Sequence, residues 1–331
     1  MAGLHDEAPL AYGVAAAEGA MALMAQVPYA ADGPADDAAW VGVLYESSEW
    51  SDFKLAAELA AREVPVRMID MERPDAVEAA LACQLLVSRV FASALARGHV
   101  ASHAHMAEVV RLANERGIPL INAGRAHAFE VSKRAATEEL ARAGIAVPAM
   151  YACDVPAAID PAALHFPCVI KPDCGGRSAR TAVLTNAAEA QAFLAESPAD
   201  TVFIVESFER ARAGYLTRIE LVVGRCAHVH KRSIAANGLS SYHFGSTYEP
   251  YDDCPPAVLE AAERAAALLG FELGSFDVIE TNAAPVFIDA NSVSNVSADC
   301  EELLGYDLMA EHAAYIASRW REMGEGVPRI L

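Results

Sequence analysis

The chain reads as a mixed α/β protein (α+β in its second half), and three features predict this. Between residues 39 and 123, short apolar runs alternate with amphipathic stretches, the pattern of a parallel sheet covered by helices. Between 166 and 184, two β-branched runs flank a Gly-Gly turn. Between 215 and 291, alternating runs pair as hairpins around one strongly marked helix. The 331 residues allow roughly two or three domains at ~100–200 residues each.

Residues 9 to 30 are Ala-rich and apolar, but Glu18 and Gly19 interrupt them, and Asp6 and Glu7 stand where a signal peptide needs cations. The expectation is neither a leader nor a membrane span. Residues 1–38 read instead as a loosely attached extension, one helix laid on the first domain.

The first domain opens with a strand at Trp40 to Tyr45, and Ser51 is expected to cap the helix carrying Leu55, Leu59 and Ala60. Strands follow at Val64 to Asp70 and Leu85 to Val90. From His105 to Arg116, Met106, Val109, Val110 and Ala113 form one helical face ending before Gly117, and Ile118 to Asn122 is a fourth strand. Ser132 caps a further helix through Leu140, with Gly144 as its terminator. Lys133 lies in the first turn of that helix, where the dipole disfavours a cation. It is either a solvated lysine or a sign that something anionic approaches.

Cys168 to Ile170 is a buried strand with Lys171 at its end, and Pro172, having no N–H, is expected to stop the ladder. Gly175, Gly176, Arg177, Ser178 and Arg180 follow before Thr181 to Leu184 resumes a strand. Free backbone N–H groups and cations in such a turn fit a phosphate cradle. The same residues fit an ordinary surface hairpin. A helix at Ala187 to Ala195 leads to a strand, Val202 to Val205, ending in Glu206-Ser-Phe208. Arg218 to Val223, a tight turn at Gly224-Arg225, and Ala227 to Arg232 then form a hairpin that gathers Arg218, Lys231 and Arg232. A solvated sheet face and a binding site both account for those cations.

Pro256 to Leu269 is a helix with Val258, Ala262, Ala265 and Leu269 on one face and Gly270 at its end. Ser275 to Glu280 and Val286 to Asn291 form a last hairpin. Asp277 and Asp289 are embedded in apolar β-sequence, where a carboxylate is costly unless satisfied. Asp289 and Asn291 share a strand face. Oxygen donors from Asp277, Asp289 and Asn291 suit a hard cation, Mg²⁺ or Mn²⁺. The alternative is a pair of hydrogen-bonded core acids.

Composition narrows the partners. Against 45 acidic side chains stand 25 basic ones, a formal charge of −20, which disfavours nucleic acid because phosphate neutralisation needs excess Lys and Arg. The seven cysteines are scattered without a C-x-x-C pair, as in a reduced, cytoplasmic protein. His103 and His105 have metal-like spacing but sit at a helix start, where solvation is the ordinary outcome.

In chain order, Ser-Lys133, Val-Ile-Lys171-Pro with its Gly-Gly loop, Val-Glu206-Ser-Phe, the cationic hairpin and Asp289-Ala-Asn291 resemble the ATP-grasp superfamily. The tone is similar to its RimK-like and glutathione synthetase-like carboxylate–amine ligases. Gly214-Tyr-Leu-Thr-Arg218 resembles that branch's G-x-D-I-R, His230-Lys-Arg232 its A-x-x-R, and Gly117-Ile-Pro-Leu-Ile-Asn122 its G-V-P-V-x-N. The similarity covers roughly residues 40 to 318.

The resemblance implies an ATP-grasp fold behind a Rossmann-like first domain at 39–123, with a lid subdomain at 124–205 and a metal-binding subdomain at 206–331. It implies that Lys133 and Lys171 hold the phosphates of ATP, and that Gly175, Gly176, Arg177 and Ser178 close over them. Glu206 and Phe208 would present backbone to adenine, Glu209 or Glu206 would reach ribose, and Asp277, Asp289 and Asn291 would hold the metal. Arg218 and Arg232, with Lys171, would face the transferring phosphoryl group. The implied reaction joins a small carboxylate to an amine, an amino acid or short peptide, through an acyl phosphate, in a monomer or homo-oligomer. A non-catalytic ATP-binding regulator and a ligase acting on a protein acceptor are the rival readings. Three departures stand out: Asp289 replaces the family's Glu, Cys174 occupies a small-residue position, and Ser-Val-Ser-Asn-Val-Ser follows Asn291. Ser240-Ser-Tyr-His-Phe-Gly245 has the hydroxyls, imidazole and aromatics to line an acceptor pocket, and equally fits a surface loop packed under the lid.

Overall fold

The computed structural model describes residues 39–240 and 245–325. The expected extension at 1–38 and residues 241–244 of the Ser240–Gly245 stretch lie outside the described residues. The first sheet is built from β1 (Val41–Tyr45), β2 (Val66–Asp70), β3 (Leu85–Arg89) and β4 (Leu120–Ile121) in the order β2-β1-β3-β4, all parallel. Helix α1 (Trp50–Ala61) covers one face, with Leu55 and Leu59 in a core shared with Val41 and Val43. Helices α2 (Ala76–Leu81) and α3 (Val100–Arg116) cover the other, where Ala80, Met106 and Val109 share a core with Leu44 and Leu86. Gly42 is required by close packing: a Cβ there would lie 3.0 Å from Cys83 Sγ and 3.1 Å from a Leu86 methyl.

Helices α4 (Gly124–Glu130) and α5 (Lys133–Arg142) lead into a second sheet. Its strands β5 (Met150–Asp154), β6 (Cys168–Pro172), β7 (Ala182–Leu184) and β8 (Phe203–Ser207) run antiparallel in the order β5-β8-β6-β7. Helix α6 (Ala187–Glu196) backs this sheet through Ala190 and Leu194. The third sheet comprises β9 (Tyr215–Val222), β10 (Arg225–Ser233), β11 (Tyr248–Pro250), β12 (Leu273–Glu280) and β13 (Pro285–Asn291) in the order β11-β10-β9-β12-β13. Helix α7 (Pro256–Leu269) packs on one face, placing Val258, Ala262 and Leu269 against Ile219, Leu221, Phe276 and Phe287. Alternation sends Arg218, Glu220, Asp277, His230 and Arg232 to the opposite face. The chain then forms α8 (Ala298–Leu304) and returns through α9 (Leu308–Glu325), whose Met309 and Ile316 join the core under Val41.

Three local expectations are corrected. Ser51 does not cap α1: Glu49 occupies the N-cap without a side-chain bond, and the Ser51 hydroxyl donates to Asn295 Oδ1 (2.8 Å) while accepting from Arg89. The fourth strand shrinks to Leu120–Ile121, because Asn122 turns left-handed (φ 55°) and its amide donates to Leu273 O and Ser292 O. The tight turn of the β9–β10 hairpin is Val223-Gly224, both left-handed (φ 55° and 67°), and Arg225 already belongs to β10.

Candidate active site

A cleft of about 590 Å³ lies between the second and third sheets, with Trp50, Phe91 and Ser93 from the region of the first sheet also lining it. Its floor is the polar face of the third sheet. Direct register places His230, Arg218, Asp277 and Asp289 in one row across β10, β9, β12 and β13. Gly274, at φ 142°, lets β13 come close: a Cβ there would stand 2.4 Å from Asn291 O.

Two lysines from different elements meet over β13. Lys133, in the first turn of α5, places Nζ 2.6 Å from Asp289 Oδ1, and Lys171, near the end of β6, donates to the Ile288 carbonyl at 2.8 Å. Lys171 also pairs with Glu206, 2% exposed, at 2.7 Å. The misplaced cation at the start of α5 thus has a carboxylate partner far along the chain. Burial pulls the Lys133 ammonium down, but Asp289, Glu130 and Glu206 outweigh it and raise its pKa. The dipole of α5 is answered by Asp173, whose carboxylate accepts from Arg134 N (2.7 Å) and the Ser132 hydroxyl (2.9 Å). Ser132 caps the helix by accepting from Ala135 N, as expected.

Asp277 is gripped by two guanidiniums, Arg218 at 3.1 Å and Arg232 at 2.8 Å. Burial pushes its carboxyl up, but Arg232 and Arg218 hold it down at about 2. Burial also opposes the Arg218 charge, and Glu220 and Asp277 raise its pKa regardless. Among the described residues no three His, Cys, Asp or Glu side chains gather as a metal cluster. The oxygen set here is two carboxylates, Asp277 and Asp289, and the Asn291 amide, all on the cleft wall. Both carboxylates already bear cations, so the site is built to hold positive charge. Each carboxylate oxygen keeps a further lone pair. The donors fit a hard divalent ion that retains water and phosphate oxygens in its shell.

The turn after β6 leans on residues flanking the first sheet. Arg177 (φ 58°) pairs with Glu49 and lies 5.9 Å from the Phe91 ring centroid. A Cβ on Gly176 would stand 3.4 Å from Ser93 Cβ. Ser178 and Arg180 are also left-handed (φ 55° and 51°), a run of non-glycine positive φ that costs energy and concentrates at functional loops. Cys174 donates to Ala92 O, and burial pushes its thiol up to about 11.

No protein-family model matches the sequence, and no curated protein does. Solved structures do. A RimK-domain ATP-grasp protein from Sphaerobacter thermophilus is 22% identical with a TM-score of 0.63, over 84% of this chain and 99% of that one. D-alanine–D-alanine ligase from Bacillus anthracis is 15% identical (TM-score 0.62, 87% and 100%). The ATP-grasp ligase PsnB, solved with a precursor variant, Mg and ADP, is 18% identical (0.59, 86% and 99%). The chain has the ATP-grasp fold.

On this ATP-grasp scaffold the structure brings Lys133, Lys171, Gly175, Gly176, Arg177, Ser178, Glu206, Phe208, Glu209, Arg218, Arg232, Asp277, Asp289 and Asn291 to one cleft. Glu206 turns its carboxylate to Lys171, and Glu209 accepts from the Ser207 hydroxyl at 2.6 Å. The N–H groups of Ser207 and Phe208 donate to Ala149 O and Pro167 O. Four contributors were not singled out from sequence. Glu49, just before α1, pairs with Arg177 of the glycine loop. Glu130, buried, accepts from Ala92 N, Ser292 N and the Ser292 hydroxyl, fixing the segment after Asn291. Glu220 accepts from Arg218 Nε and the Ser294 hydroxyl. His230 stands beside Arg218. An acid inside an apolar strand flags Glu220; nothing local flags the others, whose partners lie on distant elements.

Proposed function

We propose that this protein is an ATP-dependent carboxylate–amine ligase that proceeds through an acyl phosphate and releases ADP and phosphate. The observation that carries the reading is the convergence of Lys133 and Lys171 on β13, in the cleft that Asp289, Asn291 and the Gly175-Gly176 turn also line. Such a place suits a polyphosphate, whose oxygens would take over the lysines from Asp289 Oδ1 and the Ile288 carbonyl. Two solved PsnB complexes contain Mg and ADP, and the Bacillus anthracis ligase has been solved with ATP; ATP and Mg are proposed here. Magnesium, held by Asp277, Asp289 and Asn291, would neutralise the β- and γ-phosphates.

In the first step a substrate carboxylate oxygen forms a bond to the γ-phosphorus while the bond to ADP breaks. Arg218 and Arg232 face the phosphoryl oxygens and stabilise the charge spread over them. In the second, an amine forms the C–N bond as the acyl C–O bond breaks and phosphate leaves. The Gly175-Gly176 turn, held against Ser93 and by the Arg177–Glu49 pair, keeps water from the acyl phosphate.

The test is phosphate release from Mg·ATP with a mixture of amino acids, and mass spectrometry of the products. A substrate-dependent release with a new mass equal to two substrates less water supports the reading. Lys171→Ala and Asp289→Ala should abolish release while remaining folded by circular dichroism. Equal release by wild type and both variants sinks the assignment.

A further inference from the structure

Arg218 lines the cleft from the central strand of the third sheet, and two carboxylates hold its guanidinium. Nη1 donates to Asp277 on β12 at 3.1 Å. Nε donates at 2.8 Å to Glu220, two residues along β9 and so on the same face. Glu220 is itself fixed. It is 1% exposed, and its second oxygen accepts from the Ser294 hydroxyl at 2.6 Å. Ser294 is equally buried and is tied to the end of β3, because Arg89 donates to its carbonyl at 2.8 Å. Arg89 in turn bonds Asp52 and Ser51, both fully buried. A chain of buried bonds thus runs from α1 through Ser294 and Glu220 to Arg218. A buried carboxylate is costly, and Asp277 already gives Arg218 a counter-charge. The second acid therefore calls for a reason of its own.

We propose that Glu220 is a positioning residue for phosphoryl transfer: bonded to Nε, it fixes the plane of the Arg218 guanidinium on the cleft wall. The inference rests on the ligase reading above. Asp277 alone is a weak anchor. It is shared with Arg232 at 2.8 Å, and in the ligase reading it also serves a divalent ion, whose charge loosens its hold on a guanidinium. Glu220 has no such second duty, since its two oxygens are engaged by Arg218 and Ser294. A planar fork held through Nε and Nη1 cannot swing about either bond, whereas one held through Nη1 alone can. Donors stabilise a transition state only if they are already in place, and a misplacement of about 1 Å costs about 10²-fold. ATP itself is held by Lys133 and Lys171 in this reading, so loss of Glu220 falls on turnover and leaves KM for ATP almost unchanged.

The test is a double-variant cycle. Phosphate release from Mg·ATP with a mixture of amino acids is measured for wild type, Glu220→Met, Arg218→Met and the double variant. Glu220→Met should lower turnover by about 10²-fold with KM for ATP within about twofold of wild type. The double variant should match Arg218→Met within about twofold, because Glu220 acts only through Arg218. Glu220→Gln keeps the shape and an acceptor for Nε, and should recover about tenfold or more of the loss. If the Met variant does not fold, the Gln variant decides the same question: several-fold lower turnover at unchanged KM, and no further loss beside Arg218→Met. Urea unfolding in EDTA is a second readout. The midpoint of the double variant should lie above that of Arg218→Met, which leaves the Glu220 charge buried without its guanidinium. Unchanged turnover, a loss confined to KM, or losses that multiply in the double variant overturn the role of Glu220 and leave the ligase reading standing. No substrate-dependent release by wild type overturns the ligase reading, and this inference with it.

Discussion

Replacing Arg232 by Met keeps most of the buried stem and removes one of the two guanidiniums on Asp277. The intact arrangement holds the Asp277 carboxyl at about 2, below its ordinary 3.8. That depression corresponds to about 2 kcal/mol of stability, present above the unfolded carboxyl's pKa and lost as pH falls through the folded one. In the variant, burial still opposes the charge and only Arg218, at 3.1 Å, resists it, so the carboxyl rises. Near neutral pH the variant should be less stable by about 2–3 kcal/mol, since a buried carboxylate loses one of its partners. Urea unfolding in EDTA, which keeps metal off Asp277, measures this. The gap should narrow by about 1–2 kcal/mol between pH about 5 and about 2.5, because Asp277 in the variant protonates first. A gap that is constant or widens in acid would refute the reasoning. In the ligase assay the same variant should lose about 10²-fold in turnover with ATP affinity changed far less; an unchanged rate removes Arg232 from the transition state.

Two further outcomes concern the loops. Val223 is exposed, β-branched and left-handed at φ 55° in a two-residue turn, so Val223→Asn should raise stability by about 1 kcal/mol in thermal unfolding; a lower melting temperature would contradict the turn geometry. Cys174 carries a half-buried thiol pushed up to about 11, so it stays protonated at neutral pH and should alkylate with iodoacetamide much more slowly than free cysteine. Rapid labelling of Cys174, read by peptide mass spectrometry, would show that the turn after β6 opens readily.

What the sequence made legible was local. Helix α7 announced both its ends, Pro256 at the first turn and Gly270 at φ 73° beyond the last, with an apolar stripe between. Ser132 and Lys133 were equally readable, since a cap and a cation against the dipole are properties of neighbouring residues. The β12–β13 hairpin showed through acids set in apolar strands. What failed depended on distance. Ser51 had the composition of a cap, but Arg89 and Asn295 claim its hydroxyl. Asn122 leaves β4 early because backbone groups at Leu273 and Ser292 bind its amide. Glu49, Glu130 and His230 acquire meaning only from partners that the fold brings to them.

The most direct measurement is calorimetric titration of a non-hydrolysable ATP analogue with Mg²⁺ into wild type, Lys133→Met and Lys171→Met. The account predicts saturable one-to-one binding by wild type. Each lysine variant should bind about tenfold more weakly or worse, or about 1.4 kcal/mol for the lost charge-assisted contacts. No binding by wild type, or equal affinity in all three proteins, would contradict a nucleotide held between Lys133 and Lys171.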